Sequence, residues 1–394
     1  MEELLAQEKT RTMDAPAAIL AALALSAIGA LFYNMLPLYL GMAQDFRQLD
    51  TRATGFIGGA FFLGYNAVTI SAFFWIRRVS WRRVCLFAAP VAAAALYAGT
   101  VIEQYSILLM ATVIAGGAFA AIYGIGTTAV GDTRNPSRWY GVKIAGEAGT
   151  GALLFLVLPG TLIADRGFEG LVLGMILAMA ILTPLALGLP GNAGSEEEEW
   201  ETADGTGSDQ VRHLTIWLAL AGTLLFFSGQ TTMWAFVERL GSAGGFDQQT
   251  VGQLLSVSLL FAVGGSLVAA ALGYRFGNML PFGAACGVFF CALLLLSRAG
   301  EFAFYASGAC GLTFSVGLGL PFVVARVAEL DLEGRYVVLT VPAIGIGAML
   351  GPSIAGALAA GEALTPVLVF SGACVLIALV LVCVFGGRSA ARGQ

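Results

Sequence analysis

Long apolar stretches, separated by short polar or charged segments, make up most of this chain of 394 residues. Twelve of the stretches reach about 20 residues, which is the length that an α-helix needs to cross the hydrocarbon core of a bilayer. The pattern therefore predicts an all-α membrane protein with twelve transmembrane helices. The predicted spans are 16–40, 53–76, 82–102, 106–130, 138–161, 169–190, 213–237, 249–272, 278–297, 301–326, 335–360 and 365–386.

The twelve spans form two sets of six that repeat one another. Three pairs of identical residues lie 197 positions apart, which is half of the chain length: Gly55 and Gly252, Arg78 and Arg275, and Arg138 and Arg335. Internal duplication of a membrane bundle is typical of transporters. We therefore expect two pseudo-symmetric six-helix bundles, at 1–190 and 213–394, joined by an acidic, glycine-rich cytoplasmic linker at 191–212.

Composition and charge agree with a membrane protein and orient it. Hydrophobic residues are 58% of the chain and charged residues 11%, whereas soluble domains carry about 25% charged residues. Fifteen Lys and Arg residues fall on the side that holds the predicted linker and five on the other. The positive-inside rule then places both termini in the cytoplasm. We expect a multi-pass protein of the plasma (inner) membrane, surrounded by lipid and without a nucleic-acid partner.

Two loops resemble the signature of the major facilitator superfamily, which reads roughly G-x-L-A-D-R-x-G-R-R. The first copy is 73–82, after the second span, and the other is 270–278, after the eighth. The residues that match are Arg78, Arg82, Arg275 and Gly277, whereas Arg77 and Tyr274 stand at the acidic position of the motif. Over the whole chain the resemblance implies a transporter of two six-helix bundles, and it indicates no subfamily.

Charged residues near these loops are candidates for a cytoplasmic gate. In the family the acidic residue of the motif helps to latch the inward gate, so its loss here suggests that Asp132 or Glu329 pairs with the loop arginines instead. Ion pairs that form and break between conformations can time the opening of a gate. The alternative is that these are ordinary solvated loop charges. The candidates are Arg77, Arg78, Asp132, Arg138, Arg275, Arg326, Glu329 and Arg335.

Glu147 is the ionisable residue deepest within a predicted span, about 13 Å into the fifth at 1.5 Å per residue. Lys143 precedes it by one turn on the same helix face, whereas Gly141, Ala145 and Gly149 form a small-residue face that we expect to pack against a neighbouring helix. Ionisable groups are costly within a membrane and commonly functional. Glu147 is a local ion-pair partner of Lys143, a proton-coupling carboxylate, or a ligand for a cationic or hydroxylated solute. Lys143 is its partner in coupling or a snorkelling side chain.

The resemblance also implies that the first, fourth, seventh and tenth spans line a central cavity where substrate binds between the halves. The substrate-binding candidates are Tyr33, Asn34, Asn66, Phe119, Tyr123, Thr127, Gln230, Thr231, Trp234 and Ser315. Asn34, Tyr123 and Gln230 are favoured because a repeated position or a shared helix face supports them. The alternative for each is an interhelical hydrogen bond or packing role.

These features predict a secondary active transporter that works by alternating access. No GxxxxGK[ST] motif is present, so an ion gradient or the solute's own gradient would supply the energy. We expect proton-coupled uptake, or coupling to another ion, of a small uncharged or amphipathic organic solute. The alternative is a proton antiporter that exports amphipathic compounds; Thr112 replaces an arginine that is common in drug exporters, which argues against it.

Other functional classes are less favoured. A polytopic membrane enzyme would need a cluster of catalytic or metal-binding groups, and the chain has one histidine and no CxxC pair among six cysteines. A membrane sensor would need a soluble output domain, for which the predicted linker is too short. We therefore expect no enzymatic activity, no cofactor and no metal.

Overall fold

Twelve α-helices make up most of the part of the chain that the computed structural model describes, which is residues 13–134, 136–190, 210–273, 275–330, 336, 339–359 and 364–385. The helices are α1 (Pro16–Arg47), α2 (Thr51–Trp75), α3 (Trp81–Val101), α4 (Tyr105–Gly131), α5 (Pro136–Val157), α6 (Leu162–Leu182), α7 (Gln210–Ala243), α8 (Gln248–Leu272), α9 (Met279–Leu296), α10 (Phe302–Leu330), α11 (Thr340–Leu358) and α12 (Thr365–Leu379). Each corresponds to one predicted apolar stretch. No strand occurs among the described residues, so the all-α prediction is confirmed.

Eleven of the described helices are long and apolar enough to cross a membrane. The remaining one, α5, has the length but carries Lys143 and Glu147, which lower its hydropathy. A multi-pass membrane protein is therefore supported. The count of twelve spans and the cytoplasmic position of the termini stay predictions.

Two aspartates at equivalent positions of the repeat cap the starts of α2 and α8 with the same kind of hydrogen bond. Asp50 Oδ1 accepts a hydrogen bond of 2.6 Å from the amide of Ala53 at the start of α2. Asp247, 197 positions later, accepts one of 2.9 Å from the amide of Thr250 at the start of α8. Each carboxylate satisfies an amide that has no partner within the first turn of its helix. The two helices consequently begin at equivalent positions.

At the points where helices cross, the spacing between equivalent residues of the two halves is not 197 positions. A Cβ atom on Gly64 of α2 or Gly116 of α4 would overlap a backbone carbonyl of the other helix, and the same holds for Gly265 of α8 and Gly317 of α10. Glycine lets such backbones approach closely. Both glycines of the second pair lie 201 positions after their counterparts, so this crossing is displaced by about one helical turn relative to the 197-residue repeat.

Several helix ends differ from the predicted spans, among them the ends of α1 and α7 and the start of α6. Helices α1 and α7 continue to Arg47 and Ala243, several residues beyond the predicted ends at 40 and 237, because polar residues can extend a helix whose backbone is already hydrogen-bonded. Helix α6 starts at Leu162, but Gly167 interrupts it with a φ of +56°, a left-handed conformation that glycine adopts readily. The continuous part of α6 therefore starts next to the predicted residue 169.

The chain divides into two compact units, which are described separately. The first contains the described residues within 1–39 and 60–198, and the second contains those within 40–59 and 199–394. In the first unit the rings of Phe32 and Phe61 stack with centroids 3.8 Å apart. In the second, Phe226 and Phe282 meet edge to face at 5.2 Å. Most of the predicted linker, 191–212, lies outside the described residues, and the predicted bundle boundaries stay a prediction.

Candidate coupling and substrate site

Lys143 and Glu147 form an ion pair within α5. The Lys143 Nζ atom lies 2.7 Å from Glu147 Oε1, and the two side chains are 4% and 13% exposed. Their spacing of four residues places them on one face of the helix. The pair is therefore a buried pair of opposite charges within a predicted span, where isolated charges are costly.

Tyr123 of α4 contacts this ion pair. Lys143 Nζ donates a hydrogen bond of 2.9 Å to the Tyr123 hydroxyl and lies 4.2 Å from the centre of its ring. An ammonium over an aromatic face is attracted by the ring electrons. A Cβ atom on Gly29 of α1 would overlap Tyr123, so a glycine there permits α4 to approach α1 at the level of this ring.

Asn34 of α1 contacts the same part of α5. Its side-chain nitrogen donates a hydrogen bond of 2.8 Å to the backbone carbonyl of Glu147, 113 positions further along the chain. Helices α1, α4 and α5 therefore meet at four residues, which we name the Lys143 cluster: Asn34, Tyr123, Lys143 and Glu147. Two favoured substrate-binding candidates thus lie beside the predicted coupling residues.

Aromatic rings surround this part of the first unit. The Tyr65 and Tyr123 rings have centroids 6.1 Å apart, and Tyr33 meets Phe62 edge to face at 6.3 Å. Phe119 is 0% exposed. The predicted candidate Phe119 is therefore a core side chain in this conformation, whereas Tyr33 is only partly buried.

The small-residue face of α5 does not pack as expected. Gly141, Ala145 and Gly149 are exposed, and no described residue lies within 4 Å of a Cβ atom built on Gly141 or Gly149. The expected contact with a neighbouring helix is therefore wrong for the described part of the chain. The charged face of α5 makes the interhelical contacts instead, because Lys143 and Glu147 reach polar groups on α4 and α1.

Candidates in the second unit form an interhelical hydrogen bond. Gln230 of α7 donates a bond of 2.8 Å to the hydroxyl of Ser315 on α10, which itself donates to the carbonyl of Leu312 at 2.7 Å. Gln230 and Ser315 are both buried, as are Thr231 and Trp234. These contacts match the structural alternative considered for such residues, in which a polar side chain joins two helices.

Asn66 and Thr127 are the two remaining substrate candidates. Asn66 is buried within α2. The backbone carbonyl of Thr127 accepts a hydrogen bond of 3.2 Å from the Tyr140 hydroxyl, which links α4 to α5. Both residues belong to the first unit.

Two candidate gate acids contact the loops that carry the superfamily motif. Arg77 Nη2 donates to Asp132 Oδ1 at 2.8 Å, and a second contact joins Nη1 to Oδ2. Glu329 accepts hydrogen bonds from Arg326 at 2.7 Å and from Asn278 at 3.2 Å. The expected pairing of Asp132 with a loop arginine is present, whereas Glu329 pairs with an arginine of its own helix.

Of the four other gate candidates, two are described with their side chains. Arg78 and Arg275 are exposed. Arg335 and the side chain of Arg138 lie outside the described residues.

Glu238 is a buried acid that is not among the residues predicted from the sequence. It lies in α7, is 1% exposed, and stands one position beyond the predicted end of the seventh span. Because α7 continues to Ala243, Glu238 lies inside the helix rather than in a loop. The signal that could have found it is an acid at the end of an otherwise apolar run.

Comparison with known proteins adds evidence on the fold. No protein-family model matches the sequence, and no curated protein matches it either. Solved structures match over nearly the whole chain. A bacterial homologue of the human lysosomal transporter Spinster has a TM-score of 0.66 at 15% identity, with 96% of each chain covered.

Two further structures extend the comparison. The nucleoside transporter NupG has a TM-score of 0.70 at 15% identity, covering 93% of this chain and 98% of its own. FucP, a major facilitator superfamily transporter in the outward conformation, has a TM-score of 0.58 at 14% identity, covering 95% and 99%.

All three of these proteins are transporters rather than enzymes. At 14–15% identity, their likeness to this chain shows the fold. With its twelve described helices and its duplicated architecture, this multi-pass membrane protein has the fold of the major facilitator superfamily transporters.

Proposed function

We propose that this protein is a secondary active transporter of the plasma (inner) membrane that takes up a small organic solute together with protons by alternating access. The observation that carries the proposal is the Lys143–Glu147 ion pair, which is 2.7 Å long and buried among α1, α4 and α5. The fold, which this chain shares with transporters, supports transport in general. The Lys143 cluster supports coupling to protons.

The pair offers a switch that one proton can operate. Glu147 in its charged form holds the Lys143 ammonium, and protonation removes the negative charge and with it the attraction. Lys143 then keeps its hydrogen bond to Tyr123 and is held less strongly by Glu147, so that it can donate to a polar group of a solute. Loss of the proton restores the pair, so binding of the proton and of the solute are linked.

The surroundings of the pair favour an uncharged or amphipathic solute. Asn34 and Tyr123 offer amide and phenol groups, and Tyr33 and Tyr65 add aromatic surface. With Glu147 ionised, the cluster carries one positive and one negative side chain and thus no net charge. Nucleosides belong in the test panel because they combine an aromatic base with neutral polar groups and because NupG is a nucleoside transporter.

The test is solute-driven pH change in proteoliposomes, across a panel of uncharged and amphipathic solutes that includes nucleosides. Solute added outside should draw protons into the liposomes with the wild type and not with Glu147→Gln. Asp165→Asn, which removes an exposed acid of α6, is the matched control and should behave like the wild type. Coupled flux that persists in Glu147→Gln would contradict the proton role, and flux of opposite sign would support an exporter.

A further inference from the structure

Glu238 of α7 is a buried carboxylate with few partners. Its Oε1 atom accepts a hydrogen bond of 2.7 Å from the Ser242 hydroxyl. Its Oε2 atom is buried and accepts no hydrogen bond within the described part of the chain. Within the described residues, its ion-pair contact is with Arg239 Nε, which lies 3.9 Å from Oε2. A charged carboxylate in such a place is poorly compensated.

The carboxylate is directed at the backbone of α1. A Cβ atom on Gly41 would overlap both Oε2 and the carboxyl carbon of Glu238, so the absence of a side chain at position 41 creates the space that the group occupies. Tyr305 of α10 interacts electrostatically with Glu238, and its hydroxyl lies against Gly241 and donates to the Val237 carbonyl at 3.0 Å. The Tyr305 hydroxyl proton is therefore not shared with Glu238.

The Arg239 side chain forms its hydrogen bonds with groups other than Glu238. Its guanidinium donates to Asp45 Oδ1 at 2.6 Å and also to the carbonyl of Gly41. Asp45 is 62% exposed, so solvent reaches this ion pair. Among the described residues, the charged and titratable groups that face Glu238 are Asp45 on α1, Arg239 on α7 and Tyr305 on α10. The positive charge of Arg239 is paired with Asp45.

We infer that Glu238 is a proton-binding site of the second unit, separate from the Lys143 cluster. One proton from solvent forms an O–H bond on the carboxylate and converts it into a neutral acid, and no other bond changes. A metal cation fits poorly, because such an ion needs several oxygen ligands and the carboxylate has one hydroxyl and a guanidinium beside it. A proton needs only the free oxygen.

This inference deepens the proposed function. If transport is proton-coupled as proposed above, Glu238 and Glu147 supply two protonatable carboxylates in different units, and one transport cycle can carry two protons. The use of the Glu238 proton in transport rests on the proposed function, whereas its binding does not.

The test is infrared difference spectroscopy of the purified full-length protein, titrated with pH, which detects the C=O stretch of protonated carboxyl groups. We expect one protonated-carboxyl component to disappear in Glu238→Gln and to persist in Glu147→Gln and in the control Asp165→Asn. Glu238→Asp keeps a titratable group, so the component should shift in frequency, and this variant decides the matter if the Gln variant does not fold. Identical spectra for wild type, Glu238→Gln and Glu238→Asp would overturn the inference.

The same preparations separate the two proposals. A wild-type protein that shows the Glu238 component without solute-driven proton flux would refute the proposed function and leave the proton site standing. Flux without the component would refute the proton site and leave the proposed function standing.

Discussion

Asp132 and Glu329 lie 197 positions apart, and each accepts a hydrogen bond from the motif-bearing loop of its own half. Asp132 at the end of α4 accepts from Arg77 at 2.8 Å, and Glu329 in the last turn of α10 accepts from Asn278 at 3.2 Å. The acid that the superfamily motif carries in its loop is thus replaced by an acid on the helix. In the first half the loop position carries the opposite charge, so the polarity of the contact is reversed.

This reversal predicts that the charges of Arg77 and Asp132 can be exchanged. Asp132→Arg alone places two cations together and should lower the unfolding midpoint, with a loss of about 1 kcal/mol because Arg77 is partly exposed. The double variant Arg77→Asp/Asp132→Arg restores an acid to the motif position and should recover most of that loss. Thermal unfolding in detergent measures both. Arg78→Asp, on the exposed neighbour, is the control, and a double variant no better than the single one would contradict the pairing.

Removal of one partner from the α5 ion pair should destabilise the protein strongly. Lys143→Met leaves the Glu147 carboxylate buried without its cation, which costs about 3–5 kcal/mol for buried pairs. Lys143→Met/Glu147→Leu removes both charges and should recover most of the loss. The free energy of unfolding in denaturant provides the comparison. A near wild-type free energy of unfolding for Lys143→Met would show that the ion pair contributes little to stability.

The helix crossing of the first unit should tolerate no added methyl group. Gly64→Ala places a Cβ atom against a backbone carbonyl of α4, and such overpacking costs about 1–3 kcal/mol. The matched control is Gly149→Ala on α5, where no described residue lies within 4 Å of the new atom. There the better helix propensity of alanine should add about 0.5–1 kcal/mol. Equal effects of the two substitutions on the unfolding midpoint would refute the close crossing.

The Asp247 cap should make stability depend on acid pH. The backbone amide of Thr250 donates to the carboxylate and holds the pKa of Asp247 below its ordinary value of 3.8. A lowered folded-state pKa contributes stability that is complete above the unfolded-state pKa and is lost as pH falls through the folded-state value. Asp247→Ala should therefore lower the unfolding midpoint at neutral pH, and the difference should shrink below about pH 3.8.

Asp247→Asn separates the two contributions of this cap. An amide oxygen still accepts the hydrogen bond from Thr250 but does not titrate in this range. The variant should keep most of the neutral-pH stability and lose the acid-dependent part. A midpoint difference from the alanine variant that stays constant from neutral to acid pH would show that the charge of Asp247 is irrelevant.

The Lys143 cluster is only partly predictable from the sequence. The contact of Lys143 with Glu147 follows from a spacing of four residues in a helix, which is a local property. A repeated position and a shared face predict Asn34 and Tyr123 as substrate candidates, and neither criterion indicates that both reach α5. Their convergence depends on how α1 and α4 cross. Glu238 was missed because the predicted span ended one residue before it.

The sequence by itself determined the twelve apolar stretches, the all-α class, the duplication and the pairing of residues one turn apart, because each depends on composition or on a fixed spacing along the chain. The tertiary structure decided that Asp132 meets Arg77, that Asn34 meets Glu147, that Glu238 is buried against Gly41, and that the small face of α5 stays open. In a membrane helix nearly every face is apolar, so hydrophobic periodicity does not specify which face meets a neighbour. Close backbone contacts at glycines and a few interhelical polar bonds set that register instead, and these become visible only when the helices are packed together.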